Sequence, residues 1–258
     1  GVVAAVTANN PIAFDAGVSP RPTRPRLPIR TKARPAPQRS LALRRLAAGE
    51  AIVPAEGNRS WSYRLAKRAL DLVGALALLV LVSPILVATF LVLLVTTRGR
   101  PFFCQKRLGH CGRRFTMYKF RTMVLDAAAR QHEVPNEKDG PIFKNRRDPR
   151  VTRIGRFLRS FSIDELPQLF NVLGGQMSLV GPRPPVAGEV AEYEPWQRRR
   201  LAVKPGLPCL WQVSGRSEIG FEDWVRMDLW YLENQGLWTD LKLLLKTPGS
   251  VLSRRGAY

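Results

Sequence analysis

The chain has 258 residues and a formal net charge of +21, and 45% of its residues are hydrophobic. That hydrophobic content allows a folded core and excludes global disorder, while the positive charge favours a polyanionic partner: nucleic acid, an anionic membrane surface or a phosphorylated substrate. Three cysteines do not make an even disulfide framework, and Cys104, His110 and Cys111 lack the CxxC pair and the fourth ligand of a closed zinc site. A reducing, cytoplasmic environment is the simpler interpretation.

Residues 1–59 are predicted to form a disordered basic arm rich in proline and arginine. Residues 21–45 contain nine basic residues, five prolines and no acidic residue. Proline removes backbone donors and like charges repel, so this composition disfavours a packed structure. No basic stretch precedes a compact apolar run at the start, so a signal peptide is not expected. The arm is either a solvated tail or a polybasic segment that lies on anionic lipid.

Residues 60–100 are predicted to insert into a membrane, beginning with an amphipathic stretch. Residues 75–95 form a run of 21 residues without a charge, which as a helix would be about 31 Å long and would just span the hydrocarbon core of a bilayer. Lys67 and Asp71 precede this run and are four residues apart, so we expect them to pair where the helix meets the membrane surface.

Two features argue against a straight span. Ser83 and Pro84 lie near the middle of the apolar run, where proline removes one backbone hydrogen bond and the serine hydroxyl can satisfy a freed carbonyl. Both flanks are basic, and the positive-inside tendency draws both of them toward the cytoplasm. A re-entrant helix broken at Ser83-Pro84, which enters and leaves by the same face, is therefore favoured over a kinked span.

Residues 101–258 are predicted to form a compact α-rich domain of the α+β class with one small β-hairpin. The segment PFFCQKRLGHCGRRFTMYKFRTM alternates apolar and polar residues around glycines, as hairpins do. Helices are predicted at 119–133, 160–173, 186–200, 221–234 and 237–247. Five of the six tryptophans follow residue 195; this suits amphipathic helices at a membrane interface, with core packing as the alternative.

Two adjacent carboxylates, Asp164 and Glu165, stand among cations in the segment SFSIDELPQLF. One interpretation is structural, because Ser162 and Glu165 match the S-x-x-E capping box and acidic residues suit the first turn of a helix. The other is catalytic, because a carboxylate is a covalent nucleophile for phosphoryl groups and nearby arginines are expected to lower its pKa. The two interpretations are compatible, since Ser162 can cap the helix while Asp164 reacts.

Basic residues in several separate segments are candidates for binding phosphate. Lys119 and Arg121 are two residues apart and share a face if their segment is extended. Arg183 lies between prolines in GPRPP, whose fixed φ angles make a stiff mount for a guanidinium that grips phosphate through two parallel hydrogen bonds. The remaining candidates are Arg150, Arg159, Lys204 and Arg216. A solvated surface charge is the alternative for any one of them.

Five segments of the chain carry a resemblance to a known family. They are KRALDL with the later SP, KFRTM, DPRVTRIGRFLRSFSIDELPQLFNVLGGQMSLVGPRPP, KPGLPCLWQVSGR and TDLKLLLKTPGSVLSRRGAY. They resemble the bacterial sugar transferases, monotopic polyprenyl-phosphate phosphoglycosyl transferases that start exopolysaccharide, capsule or O-antigen assembly. The resemblance covers about residues 61–258, and the chain looks like the catalytic unit without the multi-span N-terminal region of larger members.

The resemblance implies a two-step transfer. Asp164 is expected to attack the β-phosphorus of a UDP-sugar, releasing UMP, and undecaprenyl phosphate is then expected to accept the phosphosugar. The resemblance implies Glu165 as the residue linked to Mg²⁺. It matches Arg183 to the family's Pro-Arg-Pro arginine and Arg159 to the arginine five residues before the nucleophile. The transferred sugar is not readable, with glucose and galactose favoured by the resemblance of the closing segment.

The resemblance also implies a location at the cytoplasmic face of the bacterial inner membrane. Ser83 and Pro84 match the pair that turns the family's re-entrant helix, anionic lipids are expected neighbours, no nucleic-acid partner is expected, and a homo-oligomer is left open. A non-enzymatic membrane adaptor remains the alternative function. One departure concerns Pro208 and Cys209, which stand where the family usually has Thr-Gly; reduced activity or altered sugar preference is compatible with this change.

Overall fold

The computed structural model describes residues 60–137, 139–214 and 219–253. The predicted arm over residues 1–59 therefore lies outside the described residues. In chain order the described elements are α1 (Trp61–Thr96), β1 (Phe102–Leu108), β2 (Arg114–Phe120), α2 (Arg153–Ser160), α3 (Gln168–Leu173), α4 (Ala187–Glu192), α5 (Pro195–Arg198), α6 (Leu210–Ser214), α7 (Phe221–Glu233) and α8 (Leu237–Ser253). The domain after α1 is helix-rich with one hairpin, as predicted.

By length and composition α1 is the one helix in the described part of the chain that could cross a membrane. The predicted re-entrant course stays a prediction. The helical backbone continues through Ser83 and Pro84 as one element, so the predicted break does not end the helix at this pair. The physical reason is a replacement donor: Ser83 Oγ donates to the carbonyl of Val80 at 2.8 Å, the carbonyl that the missing N–H of Pro84 leaves free. The predicted role of the serine hydroxyl is confirmed.

Both ends of α1 pack on the domain that follows it. Near its start, Lys67 Nζ lies 3.2 Å from Asp71 Oδ1, as predicted, and 2.7 Å from Asp240 Oδ2 of α8. Near its end, Leu93 is buried in one cluster with Phe120 and Leu158. Between these contacts the helix exposes large apolar side chains, among them Leu76, Val80, Leu81, Ile85 and Val87.

The predicted hairpin is confirmed. Strands β1 and β2 pair antiparallel, with Phe103 opposite Lys119. The buried side chain of Asn171 ties α3 to β2: its Oδ1 accepts from the backbone N–H of Tyr118 at 3.1 Å and its Nδ2 donates to the carbonyl of Thr116 at 2.7 Å. Strand β2 and α3 are therefore held side by side.

Three of the five predicted helices are wrong in extent, because the observed elements divide at turns, at a strand end or at a proline. Residues 119–133 begin as strand and end as a 3₁₀ turn, Ala129–Glu133, and residues 186–200 divide at Pro195, which starts α5. Residues 160–173 divide into the end of α2, the 3₁₀ turn Ile163–Glu165 and α3. The predictions for α7 and α8 are confirmed, with α8 extending further, to Ser253. The sequence prediction omitted α2 and α6 as separate elements.

The tryptophans divide between the two predicted environments. Trp211 and Trp224 are buried in the core, with ring centroids 4.2 Å apart. Trp238 on α8 is 66% exposed and shares its exposed surface with Leu241 and Leu245. An amphipathic outer surface on α8 is therefore present, as the sequence predicted, while core packing accounts for the buried pair.

Candidate active site

The two adjacent carboxylates lie on a tight 3₁₀ turn between α2 and α3. Ser162, just before the turn, has a left-handed backbone (φ 57°), and its side chain makes no capping hydrogen bond. The predicted capping box is therefore wrong, because this backbone conformation directs the chain into a short turn rather than into a long helix. Asp164 is buried and Glu165 is half-buried. Non-glycine residues with positive φ are uncommon and cluster at functional sites.

Arg159 is placed by a close approach between α2 and the segment after β2. A Cβ on Gly155 would lie 2.0 Å from the carbonyl oxygen of Thr122, so only glycine permits this contact. Across it, Arg159 Nε donates to Thr122 Oγ1 at 2.9 Å. Burial lowers the pKa of Arg159, and the charge of Asp164 opposes that change. The predicted arginine is therefore within electrostatic range of the buried carboxylate.

Lys119 and Glu165 form the direct contact between the hairpin and the carboxylate pair. Lys119 Nζ lies 2.6 Å from Glu165 Oε1, and both side chains are about one-quarter exposed, at 23% and 27%. The contact joins residues that are 46 positions apart in the chain. A charge-assisted bond of this length is among the stronger hydrogen bonds in proteins. Of the sequence-predicted cations, Lys119 and Arg159 are the two brought to the dyad most directly.

Burial decides the protonation of Asp164. It raises the pKa of Asp164 to about 6; the charge of Glu165 raises it as well, whereas those of Lys119 and Arg159 act in the opposite direction. The expected direction of the arginine effect is confirmed, since the charge of Arg159 lowers the pKa of Asp164, but burial raises that pKa by more. Removing the carboxylate from water outweighs its cationic neighbours. The carboxylate still ionises near neutral pH, which suits a nucleophile.

Arg183 projects from the proline-flanked loop onto an aromatic ring. Its guanidinium carbon lies 5.5 Å from the ring centroid of Trp224, and its Nη1 lies 3.6 Å from Glu189 Oε1. The side chain remains 29% exposed. A guanidinium supported on one face by an aromatic ring and left partly open is available for an anionic ligand.

Arg107 was not predicted from the sequence, yet it bonds to the loop that carries Arg183. It is buried on β1, and its Nη1 donates to the carbonyl of Pro184 at 3.0 Å. Burial lowers its pKa to about 9, and the charges of both Arg183 and Glu165 act on it. Arg107 is thus within electrostatic range of both groups. In the sequence it follows another basic residue, Lys106, so no local signal sets Arg107 apart.

Other predicted phosphate contacts have different partners in the structure. Arg121 donates to the carbonyls of Arg100 and Phe102, at 2.9 Å and 3.0 Å, because β2 ends at Phe120 and the predicted shared face with Lys119 does not continue. Arg150 is 3% exposed and bonds to Asp148 and the carbonyl of Ala127.

The two candidates from the later segments are not brought to the dyad by any described contact. Burial lowers the pKa of Lys204, and the nearby charges are those of Arg68, Asp71 and Lys67, so it lies close to the start of α1. Arg216 lies outside the described residues. Both therefore remain predictions.

Pro208 and Cys209, the departure from the family pattern, are integrated into the core. The carbonyl of Pro208 accepts from the backbone N–H of Gly181 at 3.3 Å, and the backbone N–H of Cys209 donates to Gln212 Oε1 at 3.0 Å. Cys209 is 2% exposed. This segment supports the start of the loop that carries Arg183.

The donor set of the dyad fits a magnesium ion completed by a substrate. In the described ranges no group of three or more His, Cys, Asp or Glu side chains could hold a metal by itself. Mg²⁺ prefers oxygen ligands and is commonly bound by one or two carboxylates together with substrate phosphates. Asp164 and Glu165 provide adjacent carboxylates of this kind.

The sequence model of the family described as "Bacterial sugar transferase" matches residues 62–254. The chain belongs to the bacterial sugar transferase family. Over 204 residues it is 45% identical to the UDP-galactose-lipid carrier transferase of Erwinia amylovora, which covers 76% of this chain and 42% of that protein. Over 208 residues it is 43% identical to the undecaprenyl-phosphate galactose phosphotransferase of Salmonella typhimurium, covering 76% of this chain and 42% of that protein.

A third relative of this bacterial sugar transferase is shorter. The chain is 38% identical over 200 residues to the exopolysaccharide production protein ExoY of Rhizobium meliloti, covering 75% of this chain and 88% of that protein. The chain thus spans less than half the length of the first two relatives and most of the length of the third. The matched residues 62–254 contain all of α1 but its first residue, the hairpin and the dyad, so these parts belong to one family unit.

Proposed function

We propose that this bacterial sugar transferase moves a sugar-1-phosphate from a UDP-sugar to undecaprenyl phosphate and thereby initiates surface polysaccharide assembly. The observation that carries the proposal is the buried Asp164, whose pKa is raised to about 6 against the opposing charges of Lys119 and Arg159. The printed names of the relatives, a UDP-galactose-lipid carrier transferase and an undecaprenyl-phosphate galactose phosphotransferase, support the same donor and acceptor classes. They favour galactose as the sugar, with glucose next.

In the first step an oxygen of the ionised Asp164 carboxylate forms a bond to the β-phosphorus of the donor. The bond from that phosphorus to the bridging oxygen breaks, and the electron pair leaves with UMP. In the second step a phosphate oxygen of undecaprenyl phosphate attacks the same phosphorus, and the Asp164 carboxylate leaves. Two displacements at phosphorus replace one difficult transfer between a soluble and a lipid-bound substrate.

Positive groups around the dyad offset the repulsion between a carboxylate and a diphosphate. Arg159, Lys119 and Arg183 would face the phosphate oxygens, and Glu165 would hold Mg²⁺ beside Asp164. The metal would supply charge neutralisation on the phosphate oxygens and the leaving UMP. The cations and the metal would together allow the negatively charged carboxylate and diphosphate to approach each other. In the described ranges no group of three or more His, Cys, Asp or Glu side chains forms a separate metal site.

We further propose that α1 is re-entrant and holds the domain at the cytoplasmic face of the inner membrane. A span would carry one end of α1 to the far side of the bilayer, about 30 Å away. Both ends instead contact one domain, through Lys67 with Asp240 and through Leu93 with Phe120. The exposed apolar surface of α8 supports a position in the interface, where its lysines meet anionic lipid headgroups.

A UMP-release assay tests the transfer. Purified full-length chain in detergent is incubated with a panel of UDP-sugars, Mg²⁺ and undecaprenyl phosphate. We expect one UDP-sugar to give multiple-turnover UMP release, and about one equivalent of UMP per enzyme without the lipid. Asp164→Asn should fold and give neither, and mass spectrometry should detect a phosphosugar adduct on the wild type alone. Normal product from Asp164→Asn would instead indicate an adaptor or another nucleophile.

Cysteine labelling tests the topology of α1. Arg64 and Arg100 are exposed and flank the apolar run, so each is replaced by cysteine in a Cys104→Ser background, which removes the exposed native thiol. In inverted membrane vesicles a membrane-impermeant maleimide should label both positions. Labelling of one position in inverted vesicles and of the other in spheroplasts would mean that α1 spans the membrane.

A further inference from the structure

The proline-flanked loop that carries Arg183 is held through four successive carbonyl oxygens. The carbonyl of Pro182 accepts from the backbone N–H of Gly206 at 3.0 Å, and that of Pro185 accepts from the backbone N–H of Leu108 at 2.9 Å. The two carbonyls between them accept from buried guanidinium groups. Because prolines have no N–H to donate, the loop can be anchored by its backbone chiefly through its acceptors.

The two guanidinium donors come from distant parts of the chain. Arg107 Nη1 donates to the carbonyl of Pro184 at 3.0 Å, and Arg200 Nη2 donates to the carbonyl of Arg183 itself at 3.1 Å. The second bond reaches the residue whose side chain is proposed to meet phosphate. The backbone of Arg183 is thus held by one arginine while its own guanidinium lies over Trp224.

Arg200 is itself held by several buried contacts. It is 1% exposed, its Nη1 donates to Tyr193 Oη at 2.8 Å, and its guanidinium forms an ion pair with Asp228, which is also 1% exposed. The guanidinium carbon lies 5.5 Å from the Trp224 ring centroid, the same ring that supports Arg183. Trp224 therefore contacts both arginines.

A fully buried ion pair contributes little net stability, because the loss of hydration offsets most of the attraction between the charges. The Arg200–Asp228 pair is therefore poorly explained as a stabilising device. The pair instead orients the Arg200 guanidinium, which contacts both Asp228 and Tyr193. Because its Nη2 N–H then has a fixed position, the carbonyl of Arg183 that accepts from it is also fixed. A flexible partner would leave Arg183 free to shift.

We propose that Arg200, oriented by Asp228, is a positioning residue that holds Arg183 in place for the diphosphate of the donor. The inference rests on the proposed function, because it takes Arg183 as a contact to the donor phosphates. Arg107 acts in the same way on the next residue of the loop. Neither arginine needs to touch the substrate; each acts through the loop backbone.

A double-mutant cycle read out by UDP binding tests the inference. UDP carries the diphosphate common to all UDP-sugar donors, and its dissociation constant is measured by calorimetry on the detergent-solubilised full chain with Mg²⁺. The variants are Arg183→Ala, Arg200→Lys and the two combined. Lysine retains a charge opposite Asp228 but lacks the planar fork that serves several acceptors at once. Arg199→Lys is the matched control, because Arg199 is adjacent, 44% exposed and paired at the surface with Glu233.

We expect Arg183→Ala and Arg200→Lys each to weaken UDP binding about tenfold, the size of one lost charge-assisted hydrogen bond. We expect Arg200→Lys to have no further effect in the Arg183→Ala background, since a residue that acts through Arg183 loses its role once that side chain is gone. Arg199→Lys should bind UDP like the wild type.

Any other result of the double-mutant cycle overturns either the positioning role of Arg200 or the phosphate contact of Arg183. If Arg183→Ala weakens binding but Arg200→Lys does not, or if the two losses multiply, Arg200 does not position Arg183, although the phosphate contact stands. If Arg183→Ala binds UDP normally, the phosphate contact itself fails and the positioning role with it, while the Asp164 assay still judges the transfer. If Arg200→Lys does not fold, the cycle is run with Asp228→Asn, which keeps Arg200 but removes the carboxylate paired with it, and the same criteria apply.

Discussion

Lys119 on β2 and Glu165 on the 3₁₀ turn form an ion pair with 2.6 Å between Nζ and Oε1. The charge of Lys119 also opposes the burial that raises the pKa of Asp164. One lysine thus acts on both carboxylates of the dyad. It pairs with the residue proposed to hold the metal and favours ionisation of the residue proposed to attack phosphorus.

Lys119→Gln is therefore expected to move the acid limb of the pH–rate profile to higher pH. Without the lysine charge, burial of Asp164 is less opposed and its pKa rises further. The measurement is the initial rate of UMP release from pH 5 to 8. The matched control is Lys106→Gln on the neighbouring strand, whose exposed lysine bonds to Thr116. Identical acid limbs for the two variants would contradict this assignment.

The wild-type rate of UMP release should fall as the pH drops through about 6. The pKa of Asp164 is raised to about 6, so the ionised nucleophile is the main form at pH 7 and becomes the minor form below the pKa. The single-turnover burst without lipid should follow the same limb, because it reports the first displacement. A rate constant of the burst that stays level down to pH 4.5 would rule out Asp164 as the titrating nucleophile.

Asp164→Asn should be more stable than the wild type at neutral pH. The pKa of the carboxyl is raised from 3.8 to about 6 in the folded protein, so the folded state binds the proton more tightly than the unfolded state. The stability from that proton is present below about pH 4 and is lost as the pH rises through 6. Asparagine avoids this loss, which is on the order of 1–3 kcal/mol.

The corresponding measurement is thermal unfolding at pH 4 and at pH 7.5 without Mg²⁺. The gain for Asp164→Asn should be present at pH 7.5 and shrink at pH 4. Asp126→Asn, at an exposed position, is the control and should change little at either pH. A variant that is less stable than the wild type at pH 7.5 would show that the carboxylate is favourably paired rather than penalised by burial.

Gly155→Ala should destabilise the protein by about 1–3 kcal/mol and reduce activity. The new methyl group would lie 2.0 Å from the carbonyl oxygen of Thr122, so α2 must move away and the contact between Arg159 and Thr122 is lengthened. Gly188→Ala on α4 is the matched control, since nothing lies within 4 Å of its added Cβ, and alanine favours a helix. Equal unfolding temperatures for the two variants would contradict the close approach.

Ser83→Ala should destabilise the protein by about 1 kcal/mol, because the Val80 carbonyl loses its replacement donor. In a Pro84→Ala background the same change should have no effect, since alanine restores the backbone N–H. Thr96→Ala is the control: its hydroxyl also bonds one turn back, to Val92, in a stretch without proline. The measurement is thermal unfolding in lipid nanodiscs. Equal costs of Ser83→Ala in both backgrounds would show that the hydroxyl is not compensating for Pro84.

Local sequence signals predicted the elements whose partners are close along the chain. The uncharged run of residues 75–95 predicted the apolar helix, and alternation around glycines predicted the hairpin. The predicted helix at 221–234 corresponds to α7. The acidic pair was found because Asp164 and Glu165 follow closely after the basic residues Arg156 and Arg159. These features depend on the order of residues, and no distant contact is needed to recognise them.

Tertiary structure decided which charges meet and what their surroundings do to them. Arg121 and Lys119 look alike in sequence, yet one holds backbone carbonyls and the other pairs with Glu165. Arg200 has no local signal that separates it from Arg199, its exposed neighbour. The pKa of Asp164 depends on how much water the folded domain excludes, a quantity that no local pattern contains.

The sequence by itself thus determined the apolar helix, the hairpin and the presence of an acidic pair among cations, because periodicity and composition act within a few residues. Only the folded chain decided that Asp164 is buried and that Ser162 adopts a left-handed backbone without capping a helix. The fold also decided that the backbone carbonyl of Arg183 accepts a hydrogen bond from Arg200. Those outcomes depend on contacts between residues far apart in sequence, such as the 46 positions between Lys119 and Glu165. The burial of a side chain and the pairing of distant residues are properties of the folded chain, because both require segments far apart in sequence to be brought into contact.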